Sequence, residues 1–328
     1  MAGASRSSAA FMSLHVAVIS GRHMYNRIQF AVIMIAAMLS AWILSGSCHP
    51  VLANPIVRST DGTEAVPLAT QARARVYLFR GALGPIFSRG MDDLTKRLQQ
   101  SGISADVYEF TICRLIADQA IRDYRSAPVP ITLIGHSMGG LCALIFADIL
   151  RTENIPVSLL VTIDPAHASP KVPLNVERYI NIFLSTSILG GGDVVPEPGY
   201  QGHYASFDMK DHEEVTHINI DKMDTIHAQL VTAIMHLATT SWMTKDEAMP
   251  LRYVVPSDSP LELWDSGTSR FARSSDTLQR LATINHVPLW TLIQANQLPE
   301  SAKLKVGQRV TIPRRLAPPP TPATLPKR

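Results

Sequence analysis

The sequence predicts an α/β protein, with a mostly parallel sheet covered by helices on both faces, followed by a small β-α-α-β unit. From Arg75 onward, short β-branched and apolar runs alternate with amphipathic stretches. One of these runs leads through a glycine-flanked turn into a helical stretch. Residues 269–315 contain eight basic residues and only Asp276 and Glu300 as acids, which indicates a second domain after about residue 268.

The elements of the first domain, residues 54–242, follow one another regularly. Strands are expected at 75–80, 105–110, 131–134, 158–163 and 179–185, and helices at 91–100, 112–124, 139–150 and 223–238. The stretch 189–211 is rich in Gly and Pro and is the natural candidate for a lid. Residues 243–268, rich in Pro, Ser and Asp, indicate a linker before a C-terminal domain at 269–314.

The N-terminal 53 residues predict a secretory signal. Two arginines precede an apolar segment, Ile28–Leu44, which leads through small residues to Ala53. Cleavage after Ala53 would export the mature chain to the periplasm, the cell wall or the exterior. An uncleaved membrane anchor and a lipidated Cys48 are the alternatives, and membrane contact is expected only in those cases.

Composition excludes several classes of function. Beyond residue 53 the chain has 27 basic and 27 acidic residues, so a nucleic-acid partner is not expected. The histidines lack paired ligand spacing, and we predict neither a metal nor a cofactor. Cys113 and Cys142 lie in apolar helical patterns that favour buried thiols, with one disulfide as the alternative. Residues 315–328 are Pro-rich and predict an extended tail.

The strongest motif is Gly135-His-Ser-Met-Gly139, which follows a strand-like run and precedes a helical one. A nucleophile elbow requires this order of strand, sharp turn and helix, with small residues around the serine. The turn places the serine hydroxyl above the sheet, at a strained backbone position. Ser137 is therefore the candidate nucleophile.

Two backbone N–H groups are expected to form an oxyanion hole. That of Met138 begins the helix and points where negative charge would develop on a substrate. The second is expected from the loop after the first strand, where Gly81 and Gly84 allow close approach, through Ala82 or Leu83.

An activated serine also needs a histidine base and a carboxylate that orients it. Asp164 ends the strand after the elbow and lies on the same rim of the sheet as Ser137, although an Asp before Pro is also a common turn residue. His217 precedes the last long helix on a short loop and is the candidate base. The competing histidines are His203, His212 and His227.

These residues resemble the α/β-hydrolase fold and, within it, the lipases. Gly135-His-Ser-Met-Gly139 looks like the lipase elbow, and Ile163-Asp-Pro-Ala166 resembles the segment in which pancreatic-type lipases carry the catalytic acid. The resemblance covers roughly residues 75–240 and favours Asp164. Most other α/β-hydrolases place the acid one strand later, where Asp193 is the alternative.

The C-terminal unit closely resembles a lysin motif (LysM). Asp276-Thr-Leu278, the later Asn296-x-Leu298 and Val306-Gly-Gln308 match that module. Ser275 stands where the module usually has glycine. The resemblance implies binding of N-acetylglucosamine-containing glycans such as peptidoglycan.

Together these features predict an exported serine hydrolase, a lipase or esterase that acts on an ester or lipid substrate and is tethered to cell-wall glycan. One alternative is a catalytically silent peptidoglycan-binding protein of the envelope. Another is an amidase or deacylase that acts on the cell wall.

Overall fold

Seven strands form the main sheet of the structure, a computed structural model that describes residues 74–239 and 248–316. They are β1 (Arg75–Arg80), β2 (Ser104–Glu109), β3 (Ile131–His136), β4 (Leu159–Ile163), β5 (Arg178–Phe183), β6 (His203–Asp208) and β7 (Leu251–Val254). Their order is β2-β1-β3-β4-β5-β6-β7, and every neighbouring pair is parallel. The predicted signal and most of the predicted tail lie outside the described residues.

Helices cover both faces of this sheet, as its parallel pairing requires. The described helices are α1 (Gly84–Phe87), α2 (Arg89–Gln100), α3 (Cys113–Ser126), α4 (Met138–Thr152), α5 (Asp224–Thr239), α6 (Leu278–Asn285) and α7 (Leu289–Asn296). Apolar residues of α2 and α5 contribute to one core, and those of α3 and α4 to a second core. The predicted fold class is confirmed.

The chain reverses its direction of travel across the sheet between β1 and β3. It passes from β1 outward to β2, returns to β3 on the other side of β1, and then continues to β7. At such a switch point the connections leave the carboxyl ends of the two strands in opposite directions, which opens a crevice between them. The loops after β1 and β3 both border this crevice.

Two predicted loops contain strands of the sheet. Residues 203–208, within the proposed lid at 189–211, form β6, and all six residues are buried. Residues 251–254, within the proposed linker at 243–268, form β7, in which Leu251 and Tyr253 are buried and Arg252 is exposed. The lid and linker predictions are wrong over these residues, because a short strand with polar residues resembles a loop in composition.

The C-terminal unit has the expected β-α-α-β order. Strands β8 (Trp264–Phe271) and β9 (Arg309–Arg315) pair antiparallel, with α6 and α7 between them. Thr277 caps α6 by accepting a hydrogen bond from the Arg280 N–H. The unit has a small apolar core of its own, but Trp264 and Leu316, at its two ends, belong to a core of the main sheet.

Two further features belong to the described residues. Cys113 and Cys142 are both buried free thiols, the arrangement that the sequence favours. No helix within residues 74–239 and 248–316 has the length and apolar character needed to cross a bilayer.

Candidate active site

Ser137 occupies a strained turn between β3 and α4. Its backbone angles are φ 55° and ψ −122°, which non-glycine residues rarely adopt. Glycine is needed on both sides of it, because a Cβ on Gly135 would lie 2.1 Å from the Gly139 carbonyl oxygen and one on Gly139 would lie 2.1 Å from the Phe79 carbonyl oxygen. The motif therefore lets β3, α4 and β1 approach closely around the serine.

The structure brings Ser137, His217 and Asp164 into one hydrogen-bonded chain. His217 Nδ1 donates to Asp164 Oδ2 at 2.6 Å, since a carboxylate can only accept. The other ring nitrogen, Nε2, lies 3.0 Å from Ser137 Oγ and accepts the hydroxyl proton in the neutral tautomer. This chain is the arrangement in which an imidazole removes a proton from a serine.

Asp164 is fixed at the end of β4 by backbone contacts. It has a positive φ of 40°, its N–H donates to the Ile182 carbonyl at 2.7 Å, and its Oδ1 accepts the Leu184 N–H at 3.1 Å. Gly190 packs directly on it, since a Cβ there would lie 2.7 Å from both the Asp164 Cγ and Oδ2. The buried carboxylate is thus oriented from two sides.

The loop after β1 lies against the serine. A Cβ on Gly81 would come within 2.8 Å of the Ser137 Cβ. Leu83, two residues later, has a φ of 54° and is the residue before the first turn of α1. Among the described residues, the N–H groups of Ala82 and Leu83 donate no hydrogen bond, and Met138, as the first residue of α4, has no acceptor within the helix.

The alternative acid lies in a different environment. Asp193 Oδ1 accepts hydrogen bonds from the Tyr204 hydroxyl at 3.2 Å and the Ser206 hydroxyl at 3.1 Å. Its Oδ2 forms an ion pair with Arg252. The structure therefore places Asp193 with β6 and β7, and it places Asp164 on His217.

The three competing histidines do not contact Ser137 either. His203 begins β6, where its Nδ1 lies 2.9 Å from Ser266 Oγ, instead of lying in the polar loop that the sequence suggests. His212 contacts Glu214 through Nδ1 at 3.1 Å. His227, inside α5 as expected, donates through Nε2 to the Asp221 carbonyl at 2.7 Å.

His136, the residue before the serine, is part of the site although sequence reasoning did not select it. Its side chain is buried, and its ring centroid lies 4.9 Å from that of His217. Burial and the neighbouring His217 lower the pKa of His136 to about 4, so the ring is neutral near pH 7. The signal that could have revealed it is a histidine inside an otherwise apolar strand.

Asp221 is a second residue that the sequence did not single out. Its Oδ2 accepts the Gly90 N–H at 3.0 Å, which joins the loop of His217 to the first turn of α2. Gly90 has no room for a side chain, since a Cβ would lie 1.9 Å from the Asp221 carbonyl oxygen. Burial raises the pKa of the Asp221 carboxyl to about 6.

Cation-binding groups are not clustered near this site. Within the part of the chain that the structure describes, no group of three or more His, Cys, Asp or Glu side chains could hold a metal ion.

Comparison with known proteins identifies the C-terminal module. Residues 273–313 match the family profile of the LysM domain. The chain thus combines an α/β-hydrolase fold, defined by its parallel sheet and elbow, with a C-terminal LysM domain. LysM implies binding to N-acetylglucosamine glycans such as peptidoglycan. No curated protein matches the sequence.

Three solved structures with similar folds are distant in sequence. The esterase domain of a Rhodothermus marinus protein is 15% identical, with 53% of this chain and 91% of that chain aligned and a TM-score of 0.36. Est1E from Butyrivibrio proteoclasticus is 12% identical over 51% and 88% of the two chains, with a TM-score of 0.30. An α/β-superfamily protein from Xanthomonas campestris is 12% identical over 50% and 97%, with a TM-score of 0.31.

Proposed function

We propose that this chain is an exported serine hydrolase that cleaves carboxylic esters and is held at the cell wall by its LysM domain. The observation that carries the proposal is the hydrogen-bonded chain from Ser137 through His217 to Asp164, built on a strained elbow. A serine in a purely structural turn needs neither the strain nor the aligned imidazole. Met138 and either Ala82 or Leu83 complete the site as oxyanion donors.

In the proposed reaction, Ser137 Oγ attacks the ester carbonyl carbon while its proton passes to His217 Nε2. The carbonyl electron pair moves to oxygen, which accepts hydrogen bonds from the backbone N–H groups. Asp164 holds the Nδ1 proton and stabilises the imidazolium. Collapse of the intermediate expels the alcohol, which takes the proton from His217. Water then repeats the sequence on the acyl-enzyme and releases the acid.

Exposed apolar side chains support an apolar acyl group in the substrate. Among the described residues, eight of the fourteen exposed large apolar side chains follow the carboxyl ends of β1, β2 and β5 or adjoin His217. They are Leu83, Ile86, Phe87, Ile112, Leu115, Ile188, Leu189 and Ile218. The carboxyl ends of parallel strands share one edge of the sheet, and Ser137 lies at that edge. Apolar surface concentrated there favours binding of hydrocarbon over sugar or peptide.

The LysM match supports location at a glycan outside the cytoplasm. Export itself rests on the N-terminal sequence pattern, with its charged, apolar and small-residue regions. A wall-attached enzyme would act where envelope lipids and acylated polymers are found.

Replacement of the nucleophile tests the proposal. Ser137→Ala should lower hydrolysis of p-nitrophenyl butyrate by at least about 10⁴-fold with the fold intact by circular dichroism. Ser126→Ala is the control, since this exposed serine at the end of α3 donates its hydroxyl to the Asp123 carbonyl, within its own helix. Turnover by Ser137→Ala equal to that of the control would overturn the assignment. A series of acyl lengths from two to twelve carbons then defines the preferred chain.

A second candidate is a deacylase that removes acyl groups from wall polysaccharide. The observation that favours it is the contact of the LysM domain with the main sheet, described below, which holds a glycan-binding module beside the hydrolase fold. Incubation with intact walls distinguishes the two: release of acetate indicates a deacylase, and release of fatty acid indicates a lipase.

A further inference from the structure

We propose that His136 is the positioning residue of this site, which holds the base and the oxyanion loop at fixed distances from the serine. The inference rests on the proposed function, since it assigns a role in the same reaction. It concerns a residue that touches neither the serine hydroxyl nor a bound substrate and acts only through its neighbours.

The protonation of His136 follows from its partners. Nε2 lies 2.8 Å from the His217 carbonyl oxygen, which can only accept, so Nε2 carries the proton. Nδ1 of the neutral ring must then accept, and it does so from the Ser88 hydroxyl at 2.8 Å. The Ser88 oxygen in turn accepts the Gly81 N–H at 3.0 Å. In this series of hydrogen bonds, from Gly81 to the His217 carbonyl, each donor has one acceptor.

One end of the chain fixes the base. The hydrogen bond from His136 reaches the backbone of His217 itself, so it constrains the residue whose ring must meet both Ser137 and Asp164. His217 lies on a loop, and loops adopt many conformations unless they are tied to rigid elements. His136 provides that tie from the last position of β3, directly before Ser137.

The other end fixes the oxyanion loop. Gly81 approaches Ser137 so closely that a Cβ would lie 2.8 Å from the Ser137 Cβ and 3.1 Å from the His136 carbonyl oxygen. The Gly81 N–H is held by Ser88, and the following N–H groups of Ala82 and Leu83 donate no hydrogen bond among the described residues, which leaves them available to a substrate oxygen. The positions of His217 and of the oxyanion loop are therefore both fixed through hydrogen bonds that lead to the buried His136 ring.

The uncharged state of the His136 ring is favourable for a residue that positions the base. When His217 takes the serine proton it becomes a cation, and the centroid of the His136 ring is 4.9 Å away. A second cation at that distance would oppose the transfer. Burial keeps His136 uncharged, so it can hold the base without repelling it.

The test compares His136→Phe with His136→Gln. Phenylalanine fills the site without hydrogen bonds, whereas the glutamine amide can still donate to the His217 carbonyl. Since a displacement near 1 Å costs on the order of 10²-fold, we expect His136→Phe to lower kcat about 30- to 100-fold with KM within about threefold, and His136→Gln to recover most of that loss. The rate of Ser137 modification by a fluorophosphonate should fall in parallel.

His203→Phe is the matched control, because His203 is also a buried histidine with a hydrogen-bond partner, Ser266, and it lies at the amino end of β6, opposite the edge of the sheet where Ser137 lies. It should lower the thermal midpoint about as much as His136→Phe while leaving kcat unchanged. Ser88→Ala, a milder variant, should lower kcat about 3- to 10-fold. Combined with His136→Phe, Ser88→Ala should lower kcat little further, because both changes interrupt the same series of hydrogen bonds.

The outcomes separate the two proposals. If the unmodified protein reacts with the fluorophosphonate but His136→Phe keeps its kcat, or if glutamine recovers nothing, the positioning role is overturned and the proposed function stands. If the unmodified protein does not react at all, both are overturned. Additive losses in the double variant would overturn the link through Ser88.

Discussion

Two non-glycine residues with positive φ, Ser137 and Asp164, sit at opposite ends of the hydrogen-bonded chain. Such conformations cost on the order of 1–3 kcal/mol each and persist only where the surroundings enforce them. Here the surroundings can pack closely because Gly135, Gly139 and Gly190 have no Cβ, and this close packing holds the strained residues in place. The geometry of single residues therefore decides whether the site can react.

The choice of acid can be tested with two matched carboxylates. Asp164→Asn should lower kcat about 10⁴-fold, because an amide does not hold the required tautomer of His217. Asp193→Asn should leave kcat within about threefold, because its partners are Tyr204, Ser206 and Arg252. Steady-state kinetics on p-nitrophenyl butyrate measures both. Loss of activity in the Asp193 variant alone would move the role of acid to that residue.

Neighbouring glycines provide a steric test. A Cβ on Gly190 would meet the Asp164 side chain at 2.7 Å, whereas one on Gly192 meets nothing closer than 3.4 Å. Gly190→Ala should displace the carboxylate and lower kcat about 10²-fold, and Gly192→Ala should have no effect on kcat. Equal rates for the two variants would show that Gly190 does not set the position of the acid.

At the scale of elements, much of the site could be predicted from sequence because each part ends a recognisable strand. β3 and β4 are uniformly apolar or β-branched before Gly135 and Asp164, so their carboxyl ends, and the residues there, could be identified. Ser137 and Asp164 lie at the same edge of the sheet because β3 and β4 are parallel. His217 can be predicted as the base because its loop precedes a clear amphipathic helix.

The elements that sequence reasoning missed have weaker patterns. β6 carries His203, Ser206 and Asp208 in six residues, and burial of such polar groups depends on partners elsewhere in the chain. β7 is four residues long and lies between prolines. His136 contacts His217, which lies 81 positions later in the sequence, and Asp221 contacts Gly90, which lies 131 positions earlier. A local sequence pattern cannot predict contacts over such separations.

Burial of the Asp221 carboxyl makes stability depend on pH, against the opposing effect of its hydrogen bond from Gly90 of α2. The folded-state pKa of Asp221 is raised to about 6 from 3.8, so the folded chain binds this proton more tightly than the unfolded chain. The stabilisation is therefore complete below about pH 4 and is lost as pH rises through 6, by up to about 3 kcal/mol in total. Relative to Asp221→Asn, the unmodified protein should gain stability between pH 7 and pH 4.

Urea unfolding at several pH values measures this difference. Asp224→Asn is the control, since the Asp224 side chain is 81% exposed, and its effect should not change with pH in the same way. A constant difference between the unmodified protein and Asp221→Asn across the range would contradict the assignment.

At the scale of the whole molecule, the LysM domain is joined to the main sheet through polar and aromatic contacts. Buried Asp265 of β8 lies 3.4 Å from the Nε of Arg178 at the start of β5 and also pairs with Arg314 of β9. Trp264 is fully buried, with its ring against those of Tyr253 and Trp290. Through Trp264 and Leu316 the two folds share part of one core, where the composition of residues 243–268 predicts a linker.

Gln294 of α7 covers the outer edge of β7. Its side chain accepts the Val254 N–H at 2.9 Å and donates to the Val254 carbonyl at 2.8 Å, as a neighbouring strand would. Gln294→Ala should therefore lower stability by about 1–3 kcal/mol, whereas Gln279→Ala, at an exposed position of α6, should be neutral. Calorimetry should show one transition for the main sheet and the LysM domain together. Two separated transitions would contradict a shared core.

The most direct measurement is to map where a fluorophosphonate attaches to the full chain by peptide mass spectrometry. The account predicts a single adduct on Ser137, lost in His217→Ala and retained in His212→Ala, because His217 is the histidine that reaches the serine hydroxyl among those the structure describes. No adduct, an adduct on another residue, or equal labelling of the two histidine variants would contradict the claim that this serine is an activated nucleophile.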